Sequence, residues 1–223
     1  MQPEVAAAGG ADDRGAQPLL GELRLRILVR RVEAADATRA AILEAASALF
    51  LARGYADVTV PEIARAARVA VQTVYSSAGG KSAILAALLQ PALDDVDGIE
   101  TRAGARRTED PRQAIAAAAR GTRRVHERHW DLLWGLVRRT PGEPAAQRVV
   151  EAAVAHCLAG LTEIAQRLAE LGALRSGIEL ADAVDLLWFH FGQGAWFSLV
   201  GERGWTFDRA EAWLDEAAAR ALL

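Results

Sequence analysis

The chain has 223 residues, 52% of them hydrophobic, which suffices for one large domain or two small ones around a sizeable core. A formal net charge of −3 and a pI near 5.9 exclude a globally basic nucleic-acid-binding protein, so any such footprint must be local; residues 22–81 carry nine Lys/Arg against six Asp/Glu. A single cysteine, Cys157, excludes an intramolecular disulfide, and no apolar stretch approaches the roughly 18 uncharged residues of a membrane span, so a cytoplasmic protein with no membrane partner is predicted.

Alanine is used heavily and strand formers rarely cluster, which predicts an all-α fold. Residues 1 to about 20 are rich in Ala, Gly, Pro and Asp without apolar periodicity and are expected to be disordered. The segment ELRLRILVRRVEAAD, with Arg24, Arg26, Arg30 and Arg31, reads either as a short helix or as a basic arm, completing an extension over residues 1–35. Asp36 is placed to cap a helix in which Ile42, Ala45, Ala46, Leu49 and Phe50 recur at three- and four-residue steps, and Gly54 ends it. Thr59 and Glu62 have capping-box spacing with Pro61 in the first turn, predicting a short helix from about Val60 to Ala67. Only Arg68 and Val69 separate it from AVQTVYSS, and two short helices joined so tightly must cross steeply, as in a helix-turn-helix.

Gly79 and Gly80 break the chain before KSAILAALLQ, a fourth helix expected to end before Pro91. SSAGGKSAIL looks like half of a nucleotide phosphate loop, but the position five residues before Gly80 that must be glycine is Tyr75. With no G-x-S-x-G or H-E-x-x-H either, no enzyme is predicted. DDVDGIETRAGARRTEDP reads as a charged linker, and longer helices follow over about 111–139, 144–173, 181–202 and 207–222. The change from short to long helices near residue 92 divides the chain into domains 36–91 and 92–223.

The stretch TRAAILEAASALFLARGYADVTVPEIARAARVAVQTVYSSAGGKSAILAAL, residues 38 to 88, resembles the N-terminal domain of the TetR family of bacterial transcriptional regulators. The resemblance is carried by F-x-x-x-G-Y closing the first helix, Thr-Val-x-x-Ile-Ala opening the second, Thr-Val-Tyr in the third and the lysine opening the fourth. It implies a three-helix helix-turn-helix domain followed by a larger C-terminal helical domain for ligand binding and dimerisation. In such a motif the second helix enters the major groove. Val69 and Val74 then face inward, leaving Ala70, Val71, Gln72, Thr73, Tyr75 and Ser76 toward double-stranded DNA. Gln72 can pair with an adenine edge and Val71 can meet a thymine methyl. Thr73, Tyr75 and Lys81 suit phosphate oxygens, as their counterparts do in the family; Thr38, Thr59 and Ser76 complete the DNA-binding candidates. Three positions depart from the family pattern. Arg68 stands where many relatives have Gly, at about 1 kcal/mol if left-handed; Ala70 replaces a capping Ser, also worth about 1 kcal/mol; and Ser77-Ala78 replaces the aromatic after the Tyr.

The same resemblance implies a homodimer on a near-palindromic operator and a repressor released by a small effector, and an apolar lining would suit a lipophilic or aromatic one. Trp130, Trp134, Trp188, His190 and Trp196 are the candidates for lining its pocket, with His126 or His129 as further polar groups. Gly192 and Gly194 within one helical stretch predict close approach by another helix, as at a dimer seam. The pairs His126/His129 and His156/Cys157 lack a third ligand at metal-site spacing, so no metal and no cofactor are predicted. The alternative reading is a helical interaction protein that keeps the fold without specific DNA binding.

Overall fold

A computed structural model describes residues 16–138 and 143–223, and every regular element among them is helical. Of the disorder expected over residues 1 to about 20, residues 1–15 lie outside the described residues, as does the break at Pro141-Gly142, whereas residues 16–20 are helical.

Helix α1 spans Ala16–Arg53 as one rod of 38 residues, so Asp36 lies mid-helix and does not cap it. The reason is local: from Glu22 to Arg53 there is no Gly or Pro, and a capping residue can act only where the preceding chain leaves the helix. Among its described side chains, Ile42, Ala46 and Phe50 in the C-terminal half are fully buried, whereas Leu28, Val29 and Val32 are exposed. Gly54 ends it with φ +89° and its N–H on the Phe50 carbonyl.

Helix α2, Val60–Ala66, begins as its sequence predicts: the Glu62 carboxylate accepts from both the backbone N–H and the hydroxyl of Thr59, each at 2.8 Å. It closes with Arg68 in the left-handed region, φ 57°, and the Val69 N–H on the Ala64 carbonyl at 2.9 Å. Helix α3, Val71–Ala78, then starts from Ala70 with no side-chain cap. Both departures noted in the sequence are therefore real features of the turn, borne by the packing of Tyr55, Val58, Ile63, Val74, Ile84 and Leu85 into one core with α1.

Helix α4, Lys81–Leu93, runs through Pro91 instead of stopping before it. Pro91 sits in the last turn on the exposed side, where one lost hydrogen bond matters little, while Ala92 next to it is buried. The stretch read as a linker folds as α5, Val96–Arg107. It packs antiparallel on α6, Pro111–Arg128, through small residues: a Cβ on Gly98 would lie 3.4 Å from Val125, and one on Gly121 would lie 2.6 Å from the Thr101 methyl.

Asp110 caps α6 through the N–H of Arg112 at 2.8 Å. After a break at His129 the chain continues as α7, Trp130–Leu132, and a π-helical turn, Leu133–Val137. Helices α8, Pro144–Glu170, and α9, Leu180–Phe191, follow. The helix expected over 181–202 is interrupted at Gly192, whose extended backbone caps α10, Gln193–Trp196, which runs on as a π-helical turn, Phe197–Glu202. Gly192 has no room for a Cβ because of the Trp188 carbonyl and ring in its own helix, and nothing in the described chain lies within 4 Å of a Cβ on Gly194. Close approach by another helix of the same chain therefore explains neither glycine. Helix α11, Phe207–Leu222, completes the fold and shares a second core with α6, α8 and α9 around Ile115, Leu168, Leu187, Trp196 and Leu214.

Candidate nucleic-acid interface and cavity

Helix α3 is amphipathic in the sense a groove-reading helix requires. Val74 and Ala78 are buried against α1 and α2, while Val71, Gln72, Tyr75 and Ser76 are exposed and Thr73 is half-buried. Tyr75 leaves 51% of its surface open, far more than an aromatic serving only to pack. The Ser76 hydroxyl donates to the Thr73 carbonyl at 3.2 Å, and Arg39 of α1 ties down the C-terminal end of α3 through the Ser77 carbonyl at 2.6 Å. The second bond ties α3 to α1 and so helps to position the outward face.

The remaining DNA-binding candidates are placed less freely. The Thr38 hydroxyl donates back to Ala34 in α1 at 2.8 Å, and Thr59 is engaged with Glu62. A hydrogen bond from Arg53, then those from Thr59, hold the Glu62 carboxyl down at about 2. Arg53 also donates to the Asp57 carbonyl, so it braces the loop between α1 and α2.

Lys81 departs most from expectation. Its ammonium lies 3.2 Å from the Glu143 carboxylate, 4.3 Å from the centroid of the Tyr55 ring and 3.4 Å from the Ala56 carbonyl, with 16% of the side chain exposed. In this arrangement the ammonium is engaged within the protein. Burial and then the Glu143 charge push the Tyr55 phenol up to about 12, so the ring under Lys81 stays neutral.

The second region of interest is a cavity of about 120 Å³ between α4, α5, α6, α8 and α9. Trp130, Trp134, Trp188, His190 and Trp196, the candidates for an effector pocket, are not among its lining residues. Trp130 and Trp134 stack on each other at 5.5 Å and pack edge-on against Phe197, Trp196 is fully buried behind His126, and Trp188 and His190 lie outside the lining. Large rings fill space, and the cavity opens where small residues leave it: Gly98, Ala118, Gly121, Ala153, Gly160 and Gly192. Thr101, Thr122 and Gln193 in the lining escaped sequence reasoning, whereas His126 was marked as a polar candidate.

Asp95, capping α5, is the one Asp or Glu among the lining residues, and no Lys or Arg is among them. Burial raises its carboxyl, but hydrogen bonds from His129 at 3.0 Å and Arg128 at 2.7 Å outweigh this and hold it below the usual range. His126 is pressed down to about 4, chiefly by burial, and is neutral at ordinary pH.

Residues 42–88 match the model of the family described as bacterial regulatory proteins, tetR family. Over these residues the chain is similar to the TetR family. Over more than four-fifths of its length the chain has the fold of solved TetR-type regulators. NalD of Pseudomonas aeruginosa, the secondary repressor of the MexAB-OprM multidrug efflux pump, is 24% identical with a TM-score of 0.68, over 86% of this chain and 98% of its own. SmeT, solved with triclosan, is 21% identical with a TM-score of 0.64, over 84% and 92%. FadR of Bacillus subtilis, solved with stearoyl-CoA, is 15% identical with a TM-score of 0.65, over 82% and 98%. No curated protein matches the sequence. No helix among the described residues is long and apolar enough to cross a membrane.

Proposed function

We propose that the protein is a cytoplasmic, sequence-specific transcriptional repressor without enzymatic activity, acting as a homodimer on a near-palindromic operator and released by a small lipophilic effector. The observation that carries the reading is the outward face of α3, with Gln72 and Tyr75 exposed beside buried Val74. Helix α4 links the two functions: Gly80 at its start follows α3, while Leu89, Ala92 and Leu93 near its end line the cavity. A molecule in the cavity that favours one position of α4 would shift the recognition helices of a dimer out of register with successive major grooves. Selection of bound duplexes from a random pool at fixed salt tests this. A two-fold symmetric site should emerge, and Gln72→Ala should relax one base position by about 1–3 kcal/mol. A pool without symmetric enrichment would refute specific recognition.

One observation favours the second reading, a helical interaction protein without specific DNA binding: Lys81 is held by Glu143. If that ion pair restrains a phosphate-binding lysine, Glu143→Gln should strengthen DNA binding several-fold and steepen the salt dependence by about one counterion. Anisotropy titrations across a salt series measure both. An unchanged slope would mean that Lys81 only braces the joint between α4 and α8.

A further inference from the structure

The α6 wall of the cavity presents hydrogen-bond acceptors whose own protons are already committed. The His126 Nδ1 lies 2.7 Å from the Thr122 carbonyl, which can only accept, so the ring proton sits on Nδ1 and Nε2 keeps a bare lone pair. His126 is 7% exposed, and no hydrogen-bond partner of its Nε2 occurs among the described residues. The Trp196 ring stacks on the imidazole at 5.5 Å and limits its rotation. One turn earlier, the Thr122 hydroxyl spends its proton on the Ala118 and Ala119 carbonyls, at 2.9 and 3.2 Å, leaving lone pairs there as well.

The charges around the cavity point the same way. The lining holds no Lys or Arg, its polar side chains besides Asp95, Thr122 and His126 being Thr101, His156, Cys157 and Gln193, and a carboxylate or phosphate on the α5 side would meet Asp95. A cation would find Asp95 already engaged by Arg128 and His129. Most of the remaining lining is apolar, including Leu89, Val125, Leu133, Leu161, Ile164 and Phe191.

Granting that this cavity is the effector site proposed above, we infer that it selects neutral lipophilic molecules carrying a hydroxyl or N–H group that donates to His126, and rejects anions. Three probes of one skeleton separate the parts of this inference: 2-naphthol, 2-methoxynaphthalene, which has lost the donor, and 2-naphthoate, which is ionised at pH 7. Calorimetric titration of the full chain should give 2-naphthol about three- to tenfold tighter binding than 2-methoxynaphthalene, with 2-naphthoate weakest. In His126→Phe the first two should bind alike, with 2-naphthoate still last. The ranking on the unaltered protein tests the inference even if that variant does not fold. Equal binding of all three probes, tightest binding of 2-naphthoate, or a naphthol preference that survives His126→Phe would overturn the inference and leave the cavity reading standing. Failure of every probe to bind would overturn both.

Discussion

Phe189→Glu combined with Trp213→Glu is expected to convert a dimer to monomers and to lower operator affinity by two to four orders of magnitude. Both side chains face solvent in the single chain, Phe189 at 73% and Trp213 at 52% exposure, on α9 and α11, which pack against each other. Leu180, also exposed, lies on α9 as well. Apolar groups gathered on two adjacent helices form the kind of surface that soluble monomers avoid. Burying each large aromatic yields about 1.5–3 kcal/mol, and a two-fold axis counts every contact twice. Glu at these sites removes that gain and adds a charge that must be desolvated. Each half-site is then bound alone, and the effective concentration supplied by the partner is lost, a factor of about 10²–10⁴. Sedimentation velocity and anisotropy at one salt concentration measure the two effects. Because both residues are exposed within the chain, the thermal midpoint of the monomer should change little; a variant that stays dimeric would rule out this surface.

The open space at Gly194 belongs to the same argument. Gly194 is exposed, and nothing in the described chain would touch a Cβ there. The sequence showed two glycines and suggested one cause, but the structure separates them. Gly192 breaks the helix against Trp188, and only Gly194 remains available to a second chain.

The helix-turn-helix was legible because its signals are local: a capping box at Thr59 and Glu62, a glycine at position 54, and apolar residues at helical spacing. The start of α1 was not, since Asp36 has the chemistry of a cap but is followed and preceded by good helix formers. Helix α5 was missed for a different reason. It packs through Gly98, Thr101 and Ala105, so it has no apolar stripe for periodicity to find, and its charges resemble a linker. The cavity could not be read from the tryptophans because it is unfilled volume, which small residues on different helices create only once those helices are assembled. Lys81 shows the limit for single residues. Its place in the motif points to phosphate, and only the fold brings Glu143, 62 positions later, into contact with it.

Acidification from pH 6.5 to about 4 is expected to remove roughly 3 kcal/mol of stability through His126 alone. The imidazole of an unfolded chain binds its proton near 6.5, whereas in the fold burial, with a smaller push from His129, delays protonation to about 4 despite the Thr122 carbonyl. Between those values the unfolded state holds more protons, so stability is complete above pH 6.5 and falls steadily as pH drops toward 4. The Glu62 and Asp95 carboxyls also sit below their ordinary values, and their contributions are lost only at more acidic pH, below about 4.5 and 3.8. The interval from 6.5 to 4.5 therefore isolates His126 from them. Urea midpoints measured across it should fall with pH in the unaltered protein and flatten in His126→Phe, which keeps an aromatic ring against Trp196. An equal fall in both proteins would assign the acid sensitivity elsewhere. Protonating Nε2 also destroys the acceptor inferred for the ligand, so a saturating donor such as 2-naphthol should hold the imidazole neutral and carry the fall to lower pH, by an amount that grows with ligand concentration.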